Sequence, residues 1–141
     1  VWSALGTGLD AGVNAIVIKG HIGSIYQGKF DGLYAGGSFT HTGDGLTDLY
    51  RLARWDGSNW HGIGANDLNN MVQTLAILPT GNIVVGGNFT NAGGSEFIQY
   101  LAVWNGSNFQ RIGTFNNVVY NSFISRDGTL YVCGGFTSCT A

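Results

Sequence analysis

Apolar residues in this chain fall in short runs, and glycine-rich polar stretches separate the runs. VNAIVI at 13–18, MVQTLAIL at 71–78 and VVYNSFI at 118–124 are each long enough for one strand and too short for a globular helix. No 3.6-residue period persists anywhere along the chain. Asp56-Gly57 and Asn105-Gly106 punctuate the pattern with pairs that accept a positive φ at low cost. The pattern predicts antiparallel hairpins, with strands near 14–18, 33–39, 52–55, 60–63, 72–78, 82–89, 101–104 and 109–112, and no helix longer than a turn or two.

The runs repeat. DGLYAGGSFT at 31–40, GNIVVGGNFT at 81–90 and GTLYVCGGFT at 128–137 align on Leu33, Ile83 and Leu130, at offsets of 50 and 47 residues. A second block keeps the same phase: LARWDGSNWHGIG at 52–64 and LAVWNGSNFQRIG at 101–113, with WSALG at 2–6 matching its tail. Two motifs in one fixed phase define a unit of four strands, the second of which carries a double glycine. A single four-stranded sheet cannot bury both apolar faces, so such units must stack face to face. Four strands in ~50 residues predict an all-β fold, a β-propeller of four-stranded antiparallel blades with about 2.5–3 blades present. The divisions are 1–12 (fourth strand and linker of a preceding blade), 13–64, 71–113 and 118–141 (an incomplete blade). The phase places Trp2–Leu5 as a fourth strand and ends the chain after two strands of a further unit. Closed propellers need 4–8 blades, so these residues are expected to belong to a larger ring, completed by more of the same polypeptide or by neighbouring subunits.

Composition sharpens this reading. Glycine supplies 24 of 141 residues and charged residues only 10%, a mixture that by itself suits low complexity. The 44% hydrophobic and 13% aromatic content instead supports a core. The net charge is −2 and the six cations are scattered, so no phosphate-binding stripe forms and nucleic acid is not an expected partner. No apolar run approaches the ~18 residues of a membrane span, and no leader pattern is visible.

Gly36-Gly37 with Trp55 and Trp60, and Gly86-Gly87 with Trp104 and Phe109, resemble kelch-like propeller repeats. GGNFTNAGG at 86–94 and ARWDGSNW at 53–60 look like the GGxFTxAGG…WDGSxW repeats of secreted, surface and large-virus proteins. The resemblance covers nearly the whole chain and implies the propeller fold and an extracellular, cell or virion surface; the repeat itself, the low charge and the absence of catalytic groupings suggest a non-enzymatic scaffold with no cofactor. Two departures stand out. Cys133 occupies a glycine position, and residues 19–27 (KGHIGSIYQ) are inserted in the first unit.

The candidate sites follow from phase. Asp10, Asp44, Asp48, Asp67 and Glu96 all lie in fourth-to-first or second-to-third strand loops, which emerge on one rim and so suggest a ligand or cation rim. Solvation of a charge-poor surface is the simpler account of them. His21, His41 and His61 fall at different points of the unit and do not suggest a shared metal. Trp2, Trp55, Trp60 and Trp104 recur in repeat positions and read as packing between units, with Trp55 and Trp104 expected to be largely buried. Tyr26, Tyr50 and Tyr100 are the aromatics a carbohydrate site would use, although Tyr50 and Tyr100 recur in phase. Asn105 and Asn88 begin glycosylation sequons. Cys133 and Cys139 suit a local disulfide only if the chain reverses between them. No nucleophile elbow or carboxylate pair suggests catalysis. The expected function is a non-enzymatic interaction or structural module that binds a protein or glycan or builds an assembly. Lectin-like binding, or an enzyme whose site lies in other blades, are the alternatives.

Overall fold

A computed structural model describes residues 2–20, 31–64 and 68–140. The described chain is all-β, with no helix. The first unit pairs β1 (Val13–Lys19), β2 (Gly32–Gly37), β3 (Leu52–Trp55) and β4 (Trp60–Gly62) in sequence order. The second repeats the order with β5 (Val72–Ile77), β6 (Ile83–Gly87), β7 (Leu101–Trp104) and β8 (Phe109–Arg111). Short β9 (Thr114–Phe115) precedes the third unit, which consists of β10 (Val119–Ile124) and β11 (Leu130–Gly134); β12 (Cys139–Thr140) returns to pair with β9. All ladders are antiparallel and the registers repeat: Leu33 faces Trp55 as Ile83 faces Trp104.

The double glycine has two separate causes. The second glycine of each pair closes on its own first strand. A β-carbon on Gly37, Gly87 or Gly134 would strike the carbonyl oxygen of Gly12, Met71 or Val118. Those carbonyls accept the N–H of Ser38, Asn88 and Gly135 at 2.9, 3.0 and 2.9 Å, and each first strand carries a bulge there. The chain therefore leaves the sheet at this point, so β2 and β6 end at Gly37 and Gly87 rather than at the expected 39 and 89. The first glycine makes room for the next sheet. A β-carbon on Gly36 would collide with Val72 Cγ1, and one on Gly86 would lie 2.7 Å from Thr74 Cγ2 of its own sheet and 2.9 Å from Val119 Cγ1 of the next.

This contact repeats along the stack, and three apolar clusters follow from it. Tyr34 and Leu52 of the first sheet pack on Val72, Leu75, Ile83 and Val85 of the second. Ala76, Val84, Leu101 and Val103 of the second pack on Val119, Leu130 and Val132 of the third. Leu33, Ala35, Ala53, Trp55 and Trp60 cluster on the far face of the first sheet. Contact between units concentrates on the first strands β1, β5 and β10. Polar links tie the same strands: Asn14 Nδ2 donates to the Val72 carbonyl (2.8 Å), and Ser122 N–H donates to Thr74 Oγ1 (3.0 Å).

Two expectations need correction. Trp2–Leu5 is not a strand: it joins no ladder among the described residues, and Trp2 is fully exposed. Its end still docks where a fourth strand would: Leu5 carbonyl accepts Trp60 Nε1–H at 3.0 Å. Trp55 and Trp104 are only half-buried; their partners Trp60 and Phe109, tilted against them at ring centroid distances of 5.4 and 5.0 Å, are the buried members.

Candidate functional site

The segments preceding each first strand and the loops after each second strand meet on one side of the stack. Leu9 bridges Thr42, Leu68 bridges Ala92, and β9 pairs β12 in the corresponding places. One side chain per unit staples this junction. Asp10 Oδ1 accepts the N–H groups of Thr40 (2.8 Å) and His41 (3.1 Å). Asn69 Oδ1 accepts those of Thr90 and Asn91, and Asn116 Oδ1 those of Thr137 and Ser138, at 2.9 and 3.1 Å in each case. Asp10, Asn69 and Asn116 are therefore one repeated clamp on the loop that follows the buried Phe39, Phe89 or half-buried Phe136.

The candidate acids divide accordingly. Asp10 spends its carboxylate on the clamp, on Thr40 Oγ1 (3.0 Å) and on His41 Nδ1 (3.3 Å). These donors, the His41 N–H foremost, hold it at about 2 against partial desolvation. Asp48 meets the other nitrogen of the same ring, His41 Nε2, at 3.0 Å, so His41 joins two of the rim acids. Asp44 turns inward on its own loop, accepting Thr42 Oγ1 (2.6 Å) and Leu46 N–H (3.1 Å), and these donors lower its pKa. Glu96 is exposed in the equivalent loop of the second unit, where its backbone carbonyl accepts Gln99 Nε2. Asp67, His21 and Tyr26 lie outside the described residues. His61 pairs instead with Asp56 in the β3–β4 hairpin at 2.7 Å. Among the described residues, no three His, Cys, Asp or Glu side chains are grouped to hold a metal ion.

The loop tips carry what the repeat does not fix. Leu46 is 85% exposed and Phe97 81% exposed, in the second-to-third strand loops of adjacent units. Beside Phe97, a shallow cleft of about 170 Å³ is lined by Glu96, Gln99, Arg111, Thr114 and Phe115. Tyr100 belongs to the scaffold. It takes a left-handed φ of 64°, and its N–H and carbonyl bond Phe89 and Gly87. Arg51, at φ 73°, makes the same bonds to Phe39 and Gly37, so Arg51 rather than Tyr50 is the partner of Tyr100. Asn105 is exposed and its Oδ1 caps the hairpin through Ser107 and Asn108, as Asp56 does through Ser58 and Asn59. Asn88 is half-buried and accepts Gln73 Nε2. Cys133 on β11 and Cys139 on β12 are exposed free thiols in different sheets.

No family model, no curated protein and no solved structure matches this chain. No helix among the described residues is long and apolar enough to cross a membrane.

Proposed function

We propose that the chain is a non-enzymatic interaction module, a set of kelch-like β-propeller blades in a larger ring, which binds a protein or glycan through its loop rim at an extracellular, cell or virion surface. The carrying observation is the contrast within the units. Glycines, clamps and inter-sheet valines recur in phase, whereas the rim tips differ from unit to unit and expose Leu46 and Phe97. A scaffold that holds its core constant and varies its loops suits recognition. The propeller reading draws on the four-strand order and on contact concentrated at the first strands, as wedge-shaped blades require. Glycan arrays and panels of purified extracellular proteins, probed with the chain and with its Leu46→Ser/Phe97→Ser variant, test the binding. A ligand lost in the variant at unchanged melting temperature is the expected result. Ligands indifferent to every rim substitution, or chemical turnover of one, would overturn it.

A further inference from the structure

The two sheet-to-sheet interfaces share one device, in which a valine of one first strand enters the space left by a glycine on the preceding second strand. Val72 faces Gly36 and Val119 faces Gly86; both valines have zero exposure. The register assigns Val13 to the same place, since Val13 pairs Gly37 as Val72 pairs Gly87 and Val119 pairs Gly134. Yet Val13 is 45% exposed, beside Ile16 at 61% and Ile18 at 44%. At the other end of the stack, Cys133 stands where Gly36 and Gly86 stand, pairing Asn121 as Gly36 pairs Ala15 and Gly86 pairs Thr74. It lies on an open face with Phe123 and Tyr131, 63% and 58% exposed.

We infer that the open face of the first sheet is a docking surface for a further four-stranded unit of this same construction, one that presents a glycine to Val13. This deepens the propeller reading and rests on it. The face continues two established interfaces and carries their unfilled protruding residue. A second copy of this chain is the obvious rival occupant, because its third sheet offers the matching side of the interface. That occupant fails at one atom pair. A bare β-carbon at Gly36 already collides with Val72, and Cys133 adds both a β-carbon and a sulfur at that place. The two open faces of one chain are therefore not complementary, and Cys133 bars head-to-tail self-stacking.

Sedimentation velocity on the whole chain tests this. The probe is a Val13→Asp/Cys133→Gly variant, which offers a glycine but no valine of its own. Wild type alone should remain monomeric. Wild type mixed with the probe should form a one-to-one complex at least tenfold tighter than wild-type self-association. A Val13→Asp/Cys133→Ala probe should not bind. That order, glycine above alanine, is opposite to the order in which these residues stabilise a strand, so a general folding effect cannot mimic it. Circular dichroism melts of each variant confirm the folded state, and both changes sit on exposed positions. Wild-type chains that associate through Val13, or folded partners that fail to pair, would overturn the inference. Binding on a glycan array does not depend on this face, so a failure here leaves the rim reading separately judged.

Discussion

At the residue scale, the decisive choices in this chain are single atoms present or absent. Glycine at 36 and 86 is required by a neighbour's methyl group rather than by backbone conformation. Gly36→Ala should cost about 1–3 kcal/mol, as overpacking does. Val72→Ala in the same chain should recover part of that loss, giving a coupling of at least about 1 kcal/mol in a double-mutant cycle read by urea melts. Independent, additive losses would mean that the two residues do not touch. The aromatics make a second comparison. Phe89 has zero exposure, and Phe89→Ala should cost about 3–5 kcal/mol. Trp104 is half-buried, so Trp104→Ala should cost less despite the larger ring. Equal losses would place the indole in the core. The repeat made Trp104 conspicuous in the sequence, but periodicity shows that a position is structural without saying which side of the ring meets solvent.

At the scale of elements, the clamp explains how loops of different sequence hold one shape. Asp10 sits at about 2 in the folded chain and returns to the ordinary ~3.9 on unfolding. A depressed carboxylate favours the fold above ~4, and that contribution fades as the pH falls from ~4 toward ~2. The neighbouring charges are His41 and Asp48. Asp10→Asn should keep the clamp, because Asn69 and Asn116 do the same work in the other units. Neutral-pH stability should stay within about 0.5 kcal/mol, and the acid limb of a pH–stability profile should become shallower. An unchanged acid limb would remove Asp10 from its cause. The strands themselves were legible from the sequence because short apolar runs between turn pairs leave few alternatives, and the registers follow once the glycines are aligned. The clamp was missed, although its signal was present. Asn69 and Asn116 each precede their Phe-Thr phenylalanine by 20 residues, and Asp10 precedes Phe39 by 29, the nine-residue insertion at 19–27 accounting for the difference. Grouping Asp10 with the rim acids by charge concealed that its partners are amides in the other units. The strand expected at Trp2–Leu5 failed for a different reason. Phase gives the place of a segment in the unit, but a strand also needs a hydrogen-bonding neighbour.

At the scale of the whole molecule, the stack is quasi-one-dimensional, so each sheet's stability depends on how many faces its neighbours cover. The second sheet has both faces packed, on the first sheet through Val72 and on the third through Val84 and Leu101. The first sheet leaves Val13, Ile16 and Ile18 open, and the third leaves Tyr120, Phe123 and Tyr131 open. Opening free energy should therefore peak in the middle. Amide hydrogen exchange should show the slowest protons in β5 and β6, faster exchange in β1 and β2, and the fastest in the β10–β11 sheet, which has two strands among the described residues and so an open edge. Cys133 provides an independent check on that last sheet, since its exposed thiol should be open to modification by a maleimide in the folded chain. Protection of β10 and β11 equal to that of β5 and β6, together with a protected thiol, would mean that another surface already covers the third sheet in solution. The same measurements on wild type mixed with the Val13→Asp/Cys133→Gly probe should move slow exchange toward β1. Only the face carrying Val13 gains a neighbour in that complex, so β10 and β11 of the wild-type chain should keep their fast exchange.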